Sequence, residues 1–178
     1  ATRRERVALK GRAMATARPP DPRPPFDGGC ACGAVRYKLL DWPMFVHCCH
    51  CTRCQRETGA PYAHHAMIEF SRFAVTRGEP MHVLVPTDSG RRHWVARCPE
   101  CHTAMWNEHG PGTAAAPRAL TRYVRVGTLD APQALPPQAH IFVRSRQPWV
   151  ALGDELPRFS SYYDAATTWP AASLARYA

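Results

Sequence analysis

Apolar and polar residues alternate over many short stretches of this chain, and a period of two predicts half-buried β-strands. A hairpin turn is predicted at Thr-Asp-Ser-Gly, residues 87–90, and another turn at Gly28 and Gly29, before the first strand. The predicted strands cover residues 34–39, 66–70, 73–76, 81–85, 92–96, 123–126 and 140–143.

Helical periodicity is scarce in comparison. One short helix is predicted after Cys54, and a second within residues 163–178 with an interruption at Pro170. The chain shows no internal repeat and no alternation of strands with long helices. The predicted class is therefore mainly β, with few short helices.

The length of 178 residues favours one domain that can bury a substantial core. Prolines and arginines crowd residues 17–25, so residues 1–25 are expected to be an extended or disordered segment. Residues 26–160 are then the folded domain, and residues 161–178 a C-terminal extension that is partly helical. Met14 is a possible alternative start of translation.

The formal net charge of +9 can arise in two ways. It either attracts an anionic partner, such as a small carboxylate or a nucleic acid, or reflects genome composition, since alanine, proline and arginine are all abundant. No apolar run approaches ~18 residues, so no membrane association is expected. Clustered thiols without a visible secretory signal predict a cytoplasmic protein.

Seven of the eight cysteines lie in three short clusters, which are Cys30/Cys32, Cys49/Cys51/Cys54 and Cys98/Cys101. Sulfurs one or two residues apart can share a tetrahedral metal, whereas a disulfide between such neighbours is strained. Four thiolates close a zinc site and three leave one position open. The pattern therefore predicts one structural zinc beside one reactive zinc or thiolate centre.

The pair Cys30/Cys32 is expected to join Cys98/Cys101 in the four-sulfur site; unliganded reduced thiols are the alternative. Cys98-Pro99-Glu100-Cys101 has the form of a zinc knuckle, which predicts a positive φ at His102, although His102 is also a possible ligand.

Cys49, Cys51 and Cys54 are expected to converge on the second metal. Their neighbours Cys48 and His50 should point away from it, because successive side chains of an extended chain alternate. Cys48 is then a small buried residue, and His50 a minor candidate for proton transfer. His64 and His65, directly before the strand predicted at 66–70, are also expected to be in extended chain, where a structural role is favoured over a site role.

A disulfide framework and a nucleic-acid-binding zinc ribbon both account less well for the cysteines. Disulfide frameworks suit short secreted chains. A zinc ribbon needs only four ligands, and the arginines here form no basic and aromatic stripe.

These motifs resemble those of the glutathione-dependent formaldehyde-activating enzyme family. The resemblance runs from about Gly28 to Phe159, and its landmarks are GGCACGAVRY at 28–37, CHCTRCQRETGAP at 49–61, CPECHT at 98–103, VGTLD at 126–130 and HIF at 140–142. It implies a tent-like arrangement of small antiparallel sheets pinned by zinc. It assigns Cys30, Cys32, Cys98 and Cys101 to the structural zinc, and Cys49, Cys51 and Cys54 to the catalytic zinc.

Three positions depart from the family pattern. His102 stands where glycine is usual, Gln55 where arginine is common, and Arg97 where an aromatic residue usually precedes the knuckle. The first departure bears on the structural site and the second on the substrate.

The resemblance implies a carbon–sulfur lyase that reversibly adds glutathione to formaldehyde, giving S-(hydroxymethyl)glutathione. Arg56 is a candidate contact for a substrate carboxylate, although a surface ion pair is an equal alternative. The expected partners are a small thiol and a small aldehyde, not a nucleic acid. The alternatives are a non-catalytic module that binds a thiol or zinc, and a nucleic-acid-binding zinc ribbon.

Overall fold

The computed structural model describes residues 23–87, 92–110 and 121–177 of the chain. Ten strands, three short α-helices and four single-turn 3-10 helices make up the regular structure of these ranges. The strands are β1 Phe26–Gly29, β2 Arg36–Leu39, β3 Phe45–Cys49, β4 Ala63–Glu69, β5 Phe73–Arg77, β6 Met81–Val85, β7 His93–Arg97, β8 Ala104–His109, β9 Thr121–Arg125 and β10 Ala139–Ile141. The helices are α1 Thr52–Thr58, α2 Ala165–Thr168 and α3 Ala171–Tyr177.

The strands form two sheets. A three-stranded antiparallel sheet has the order β1-β2-β5, and a seven-stranded sheet has the order β10-β3-β4-β9-β8-β7-β6. Within the larger sheet β10 runs parallel to β3, with Ile141 beside Cys49, and the other neighbours are antiparallel. The prediction of a mainly β fold with few short helices is confirmed.

Each of the seven predicted strands overlaps a strand of the structure, but β1, β3 and β8 were not predicted. All five residues of β3 are buried, so this strand has no polar face and no alternation to detect. In β8 the buried residues include Asn107 and Glu108, whose polarity masks the strand.

The turn predicted at Gly28 and Gly29 is wrong, because both glycines lie in β1 and the turn falls at Ala31 and Cys32. A Cβ on Gly28 would lie 2.6 Å from the ring of Tyr37, so glycine is required there for packing and not for a turn. The hairpin is supported by the pairing of β6 with β7, while residues 88–90 of its predicted turn lie outside the described residues.

Two apolar clusters lie against the sheets. In the first, Tyr37 of β2 stacks on Phe73 at 5.0 Å between ring centroids and meets Trp106 of β8 edge-on at 5.6 Å, which packs the small sheet on the large one. The second cluster packs Tyr163 and Trp169 against Phe45 and contains Cys49 and Cys54. The C-terminal segment therefore covers the end of the sheet at which the middle cysteines lie.

The helical predictions differ from the structure only in detail. Helix α1 begins at Thr52, before Cys54, and Pro170 separates α2 from α3. Within the described ranges no helix has the length and apolar character needed to cross a membrane. The proposed limits of the folded domain, 26–160, stay a prediction, and most of residues 1–25 lies outside the described residues.

Candidate metal centres and the adjoining site

Four cysteines from two distant turns form the first cluster, the four-sulfur group. Cys30 and Cys32 come from the turn between β1 and β2, and Cys98 and Cys101 from the turn between β7 and β8. The four sulfurs all lie within 4.8 Å of one another. Cys32 Sγ is 3.5 Å from Cys30 Sγ and 3.7 Å from Cys98 Sγ.

These separations suit a shared metal and exclude disulfides. Sulfurs held at about 2.3 Å from a tetrahedral zinc lie about 3.8 Å apart, whereas bonded sulfurs lie about 2.05 Å apart. All eight cysteines are unpaired. The four-sulfur group therefore fits a closed zinc site.

The knuckle of this group has the predicted backbone. His102 has φ of 57°, and its N–H donates to the carbonyl of Cys98 at 3.0 Å. Arg97 Nη1 donates to the carbonyl of His102 at 3.1 Å. Two of the departures from the family pattern therefore contact each other, since the Arg97 side chain caps the carbonyl of the strained His102.

Thr103 stabilises a thiolate in the same turn. Its hydroxyl lies 3.1 Å from Cys101 Sγ and, together with the Thr103 backbone N–H, lowers the pKa of the Cys101 thiol to about 5. The Val35 N–H donates to Cys30 Sγ at 3.2 Å. Hydrogen bonds of this kind favour the ionised sulfur that a metal requires.

Cys49, Cys51 and Cys54 form the second cluster, the three-sulfur group, and their sulfurs also lie within 4.8 Å of one another. Cys49 ends β3, Cys51 is the N-cap of α1, and Cys54 lies in the first turn of α1. The N–H of Cys54 donates to Cys51 Sγ at 3.3 Å. Cys49 and Cys54 are buried and Cys51 is partly exposed, so the accessible side of the group is at Cys51.

Hydrogen bonds among the three thiols shift their pKa values in opposite directions. Bonds from Cys49 and Cys54 lower the pKa of the Cys51 thiol, while the bonds to Cys49 and Cys51 raise the pKa of the Cys54 thiol. These hydrogen bonds therefore favour the ionised form at Cys51 over that at Cys54. A divalent metal removes this competition, and the donor set fits a zinc with three protein ligands.

Cys48 and His50 lie beside this group without joining it, as predicted. Cys48 is 3 % exposed, and burial raises the pKa of its thiol to about 12. His50 is fully buried, with Nε2 3.0 Å from His140 Nδ1, and burial lowers its pKa to about 4. His50 is therefore neutral at pH 7, and its contact with His140 connects the segment of residues 49–54 to β10.

Gln55 connects helix α1 to the segment that follows β10. Its Nε2 donates to the carbonyls of His50 at 2.7 Å and Ser145 at 2.8 Å, and its Oε1 accepts from Gln147 Nε2 at 2.6 Å. The sequence marks Gln55 only as a departure from the family pattern. Its contacts show that it holds the residues around Arg146 against the helix that carries Cys54.

A buried ion pair lies behind α1 and was not predicted. Arg125 Nη2 of β9 is 2.9 Å from Glu57 Oε2, and the two side chains are only 9 % and 8 % exposed. Asn107 Oδ1 accepts from the same nitrogen at 3.3 Å, and His93 Nε2 is 3.8 Å from Glu57 Oε1. Glu57 follows Cys54 by three residues, so this pair anchors the cysteine-bearing helix to the large sheet.

The remaining predicted candidates lie outside both sulfur groups. Arg56 is exposed in the last turn of α1. His64 pairs with Cys48 across β3 and β4, and burial lowers its pKa to about 4. His65 is buried beside Tyr123 and His47.

Comparison with known proteins places these features in a family. The model of the glutathione-dependent formaldehyde-activating enzyme family matches residues 25–145, more than half of the chain. The chain belongs to this family. The predicted resemblance is thereby confirmed, and both cysteine groups fall within the matched region.

Two further comparisons concern individual proteins. No curated protein matches the chain significantly. A crystal structure of a Rhodobacter sphaeroides protein, solved as a structural genomics target, is similar at 25 % identity with a TM-score of 0.41. The match covers 58 % of this chain and 87 % of that one.

Proposed function

We propose that this family member is a zinc-dependent carbon–sulfur lyase that reversibly adds glutathione to formaldehyde, giving S-(hydroxymethyl)glutathione. The observation that carries the proposal is the three-sulfur group with its partly exposed Cys51. Among the described residues, no fourth cysteine, histidine or carboxylate joins this group. The family assignment supports the choice of thiol and aldehyde.

The reaction forms one carbon–sulfur bond. The glutathione sulfur attacks the carbonyl carbon, the carbonyl π electrons move to oxygen, and the thiol proton ends on that oxygen. A zinc held by Cys49, Cys51 and Cys54 would supply a Lewis acid that lowers the thiol pKa or polarises the aldehyde. Holding both reactants together is the larger expected contribution, because three thiolates already give such a site a net charge of −1.

The chain's own residues prepare this site in two ways. The N–H of Cys54 stabilises charge on Cys51, the sulfur at the accessible side. Apolar packing around Cys49 and Cys54 limits water on the other side.

Arg56 remains a proposed contact for a glutathione carboxylate. It follows Cys54 by two residues, which places it roughly 200° around the helix from that sulfur. An extended ligand would therefore have to cross the end of α1 to reach it.

The eight unpaired cysteines support a reducing compartment such as the cytoplasm. Five described arginines, by contrast, pair with carboxylates, which does not favour the nucleic-acid-binding alternative; these are Arg36, Arg72, Arg122, Arg125 and Arg176.

Exchange between formaldehyde and its glutathione adduct, measured by ¹³C exchange NMR at equilibrium, tests the proposal. The wild-type protein should increase the exchange rate above the spontaneous rate. Cys54→Ala should abolish this increase and reduce bound zinc from two ions to one per chain. The retained ion at the four-sulfur group then reports that the variant is folded.

Cys48→Ala is the matched control, because Cys48 is buried in the same strand as Cys49 but lies outside both groups. It should keep two zinc ions and the wild-type exchange rate. Equal exchange rates with and without wild-type protein, at full zinc occupancy, would refute the lyase and favour the non-catalytic module. The non-catalytic module is the second candidate because a zinc bound by three thiolates would carry a net negative charge, which weakens it as a Lewis acid.

A further inference from the structure

A cavity of about 480 Å³ lies in the segment that follows β10. Small-molecule sites in proteins typically have volumes of ~300–1,000 Å³, so this cavity is of suitable size for one. Its walls combine apolar side chains with two guanidinium groups, and its lining includes Val143, Arg146, Pro148, Trp149, Leu152 and Arg158. Trp149 is 72 % exposed, which leaves a large apolar surface available at this cavity.

Both guanidinium groups are fixed by backbone carbonyls. Arg146 Nη1 donates to the carbonyls of Gln147, at 3.3 Å, and of Val150. Arg158 Nη2 donates to the carbonyls of Leu152 at 3.1 Å and Gly153 at 2.8 Å. Fixing an arginine in this way reduces the side-chain entropy that it loses when it binds an anion.

Each arginine keeps donors for a ligand. A guanidinium carries five N–H donors, and the hydrogen bonds recorded within the described residues use one nitrogen of each group. Arg158 also pairs with Asp154, but that carboxylate is fully exposed and its attraction is screened by solvent. The cavity is therefore lined by two positively charged groups, each able to donate hydrogen bonds to a carboxylate.

Hydrogen bonds and strand pairing connect the cavity-lining segment to residues beside the three-sulfur group. Arg146 lies between Ser145 and Gln147, and both of these residues hydrogen-bond to Gln55, the residue after Cys54. Arg158 forms a parallel bridge with His140, whose ring contacts His50 between Cys49 and Cys51. Both arginines are thus tied to residues that neighbour the sulfur ligands in the chain.

We propose that this cavity binds one of the carboxylates of the thiol substrate, with Arg146 and Arg158 as its contacts and Trp149 packed on the apolar part of the ligand. The inference rests on the proposed function, and it adds the residues of this chain that would bind a carboxylate of the thiol. The bound thiol then extends from the cavity towards Cys51.

Binding of S-methylglutathione to the zinc-loaded protein, measured by calorimetry, tests this assignment without any reaction. Hydrogen bonds to charged groups contribute about 1.5–3 kcal/mol, so Arg146→Gln and Arg158→Gln should each weaken binding by about ten- to a hundredfold. Trp149→Ala should weaken binding several-fold. Because Trp149 is exposed, this change leaves the hydrogen bonds of both arginines to backbone carbonyls in place.

Arg144→Gln is the matched control, since Arg144 is exposed on the neighbouring turn and does not line the cavity. It should bind S-methylglutathione as the wild type does. The dimethyl ester of S-methylglutathione keeps the peptide skeleton and the ammonium group but lacks both carboxylate charges; it should bind the wild type at least tenfold more weakly, with little further loss in Arg146→Gln.

The outcomes separate this inference from the proposed function. Wild-type binding in Arg146→Gln, Arg158→Gln and Trp149→Ala overturns the cavity assignment, even if adduct exchange is catalysed. Absence of S-methylglutathione binding to the wild type overturns it as well. Arginine-dependent binding with no catalysis of exchange supports the cavity and overturns the lyase.

Discussion

The buried pair Glu57–Arg125 offers a sharp test of how the fold supports the three-sulfur group. Changing Glu57 to Gln preserves the size of the side chain but leaves the Arg125 charge buried without its carboxylate. At 2.9 Å and an effective dielectric constant of about 20, the Coulomb attraction that is lost amounts to about 6 kcal/mol. The glutamine oxygen and Asn107 Oδ1 still accept hydrogen bonds, so the expected net loss is about 3 kcal/mol.

The loss should be seen in two measurements. Urea unfolding of the zinc-loaded protein should give a free energy of unfolding about 3 kcal/mol below that of the wild type. Because Glu57 fixes the helix that carries Cys54, a competing chelator should also remove zinc from the three-sulfur group of Glu57→Gln first. The four-sulfur group should release its zinc as in the wild type.

Two further variants complete the experiment. Glu155→Gln changes an exposed glutamate and should alter neither measurement. The double variant Glu57→Gln with Arg125→Met leaves no buried charge from this pair and should recover part of the lost stability. A loss below about 1 kcal/mol in Glu57→Gln, with unchanged zinc release, would show that this pair does not hold α1 in place.

Three other predictions concern single residues. Burial lowers the pKa of His65 well below 6.5, so the folded protein holds this residue neutral and loses stability as the pH falls below 6.5. Between pH 7.5 and pH 5.5 the wild type should lose about 1.4 kcal/mol more free energy of unfolding than His65→Asn, as measured by urea titration. His102→Gly should raise the free energy of unfolding by about 0.5–1 kcal/mol, because φ is positive at this residue, whereas His102→Val should lower it. Equal free energies of unfolding for the two variants would show that the backbone at residue 102 is not strained. Gln55→Ala removes three hydrogen bonds and should weaken S-methylglutathione binding several-fold in calorimetry with two zinc ions retained; unchanged affinity would mean that Gln55 does not position Arg146.

Much of the fold could be predicted because most of its strands show a pattern along the chain. Strand β6, with exposed residues on the edge of the large sheet, and β2 on the small sheet were both recognised. Strand β3 was not, since a strand buried on both faces has no alternation. The parallel pairing of β10 with β3 depends on the course of the chain over some 90 residues, which no local pattern records.

The sulfur groups could be predicted for a different reason. Ligands one or two residues apart need no knowledge of the fold to be recognised as a unit, and the structure gathers the same seven sulfurs into the predicted groups. Glu57 and Arg125 are 68 positions apart in the chain, and Gln55 and Ser145 are 90 positions apart. Nothing in the local sequence distinguishes these side chains from ordinary surface residues.

The topology also shows why the two groups suit different roles. The four-sulfur group joins turns 66 residues apart, one next to the small sheet and one within the large sheet. A metal there closes a long loop and fixes one sheet against the other, and the entropic contribution of such a link grows with the length of the loop. The three-sulfur group draws its ligands from residues 49–54 alone, so a metal there closes only a short local loop. The fold would therefore depend little on a metal at the three-sulfur group, and an open coordination position there would be free to serve the proposed binding and chemistry.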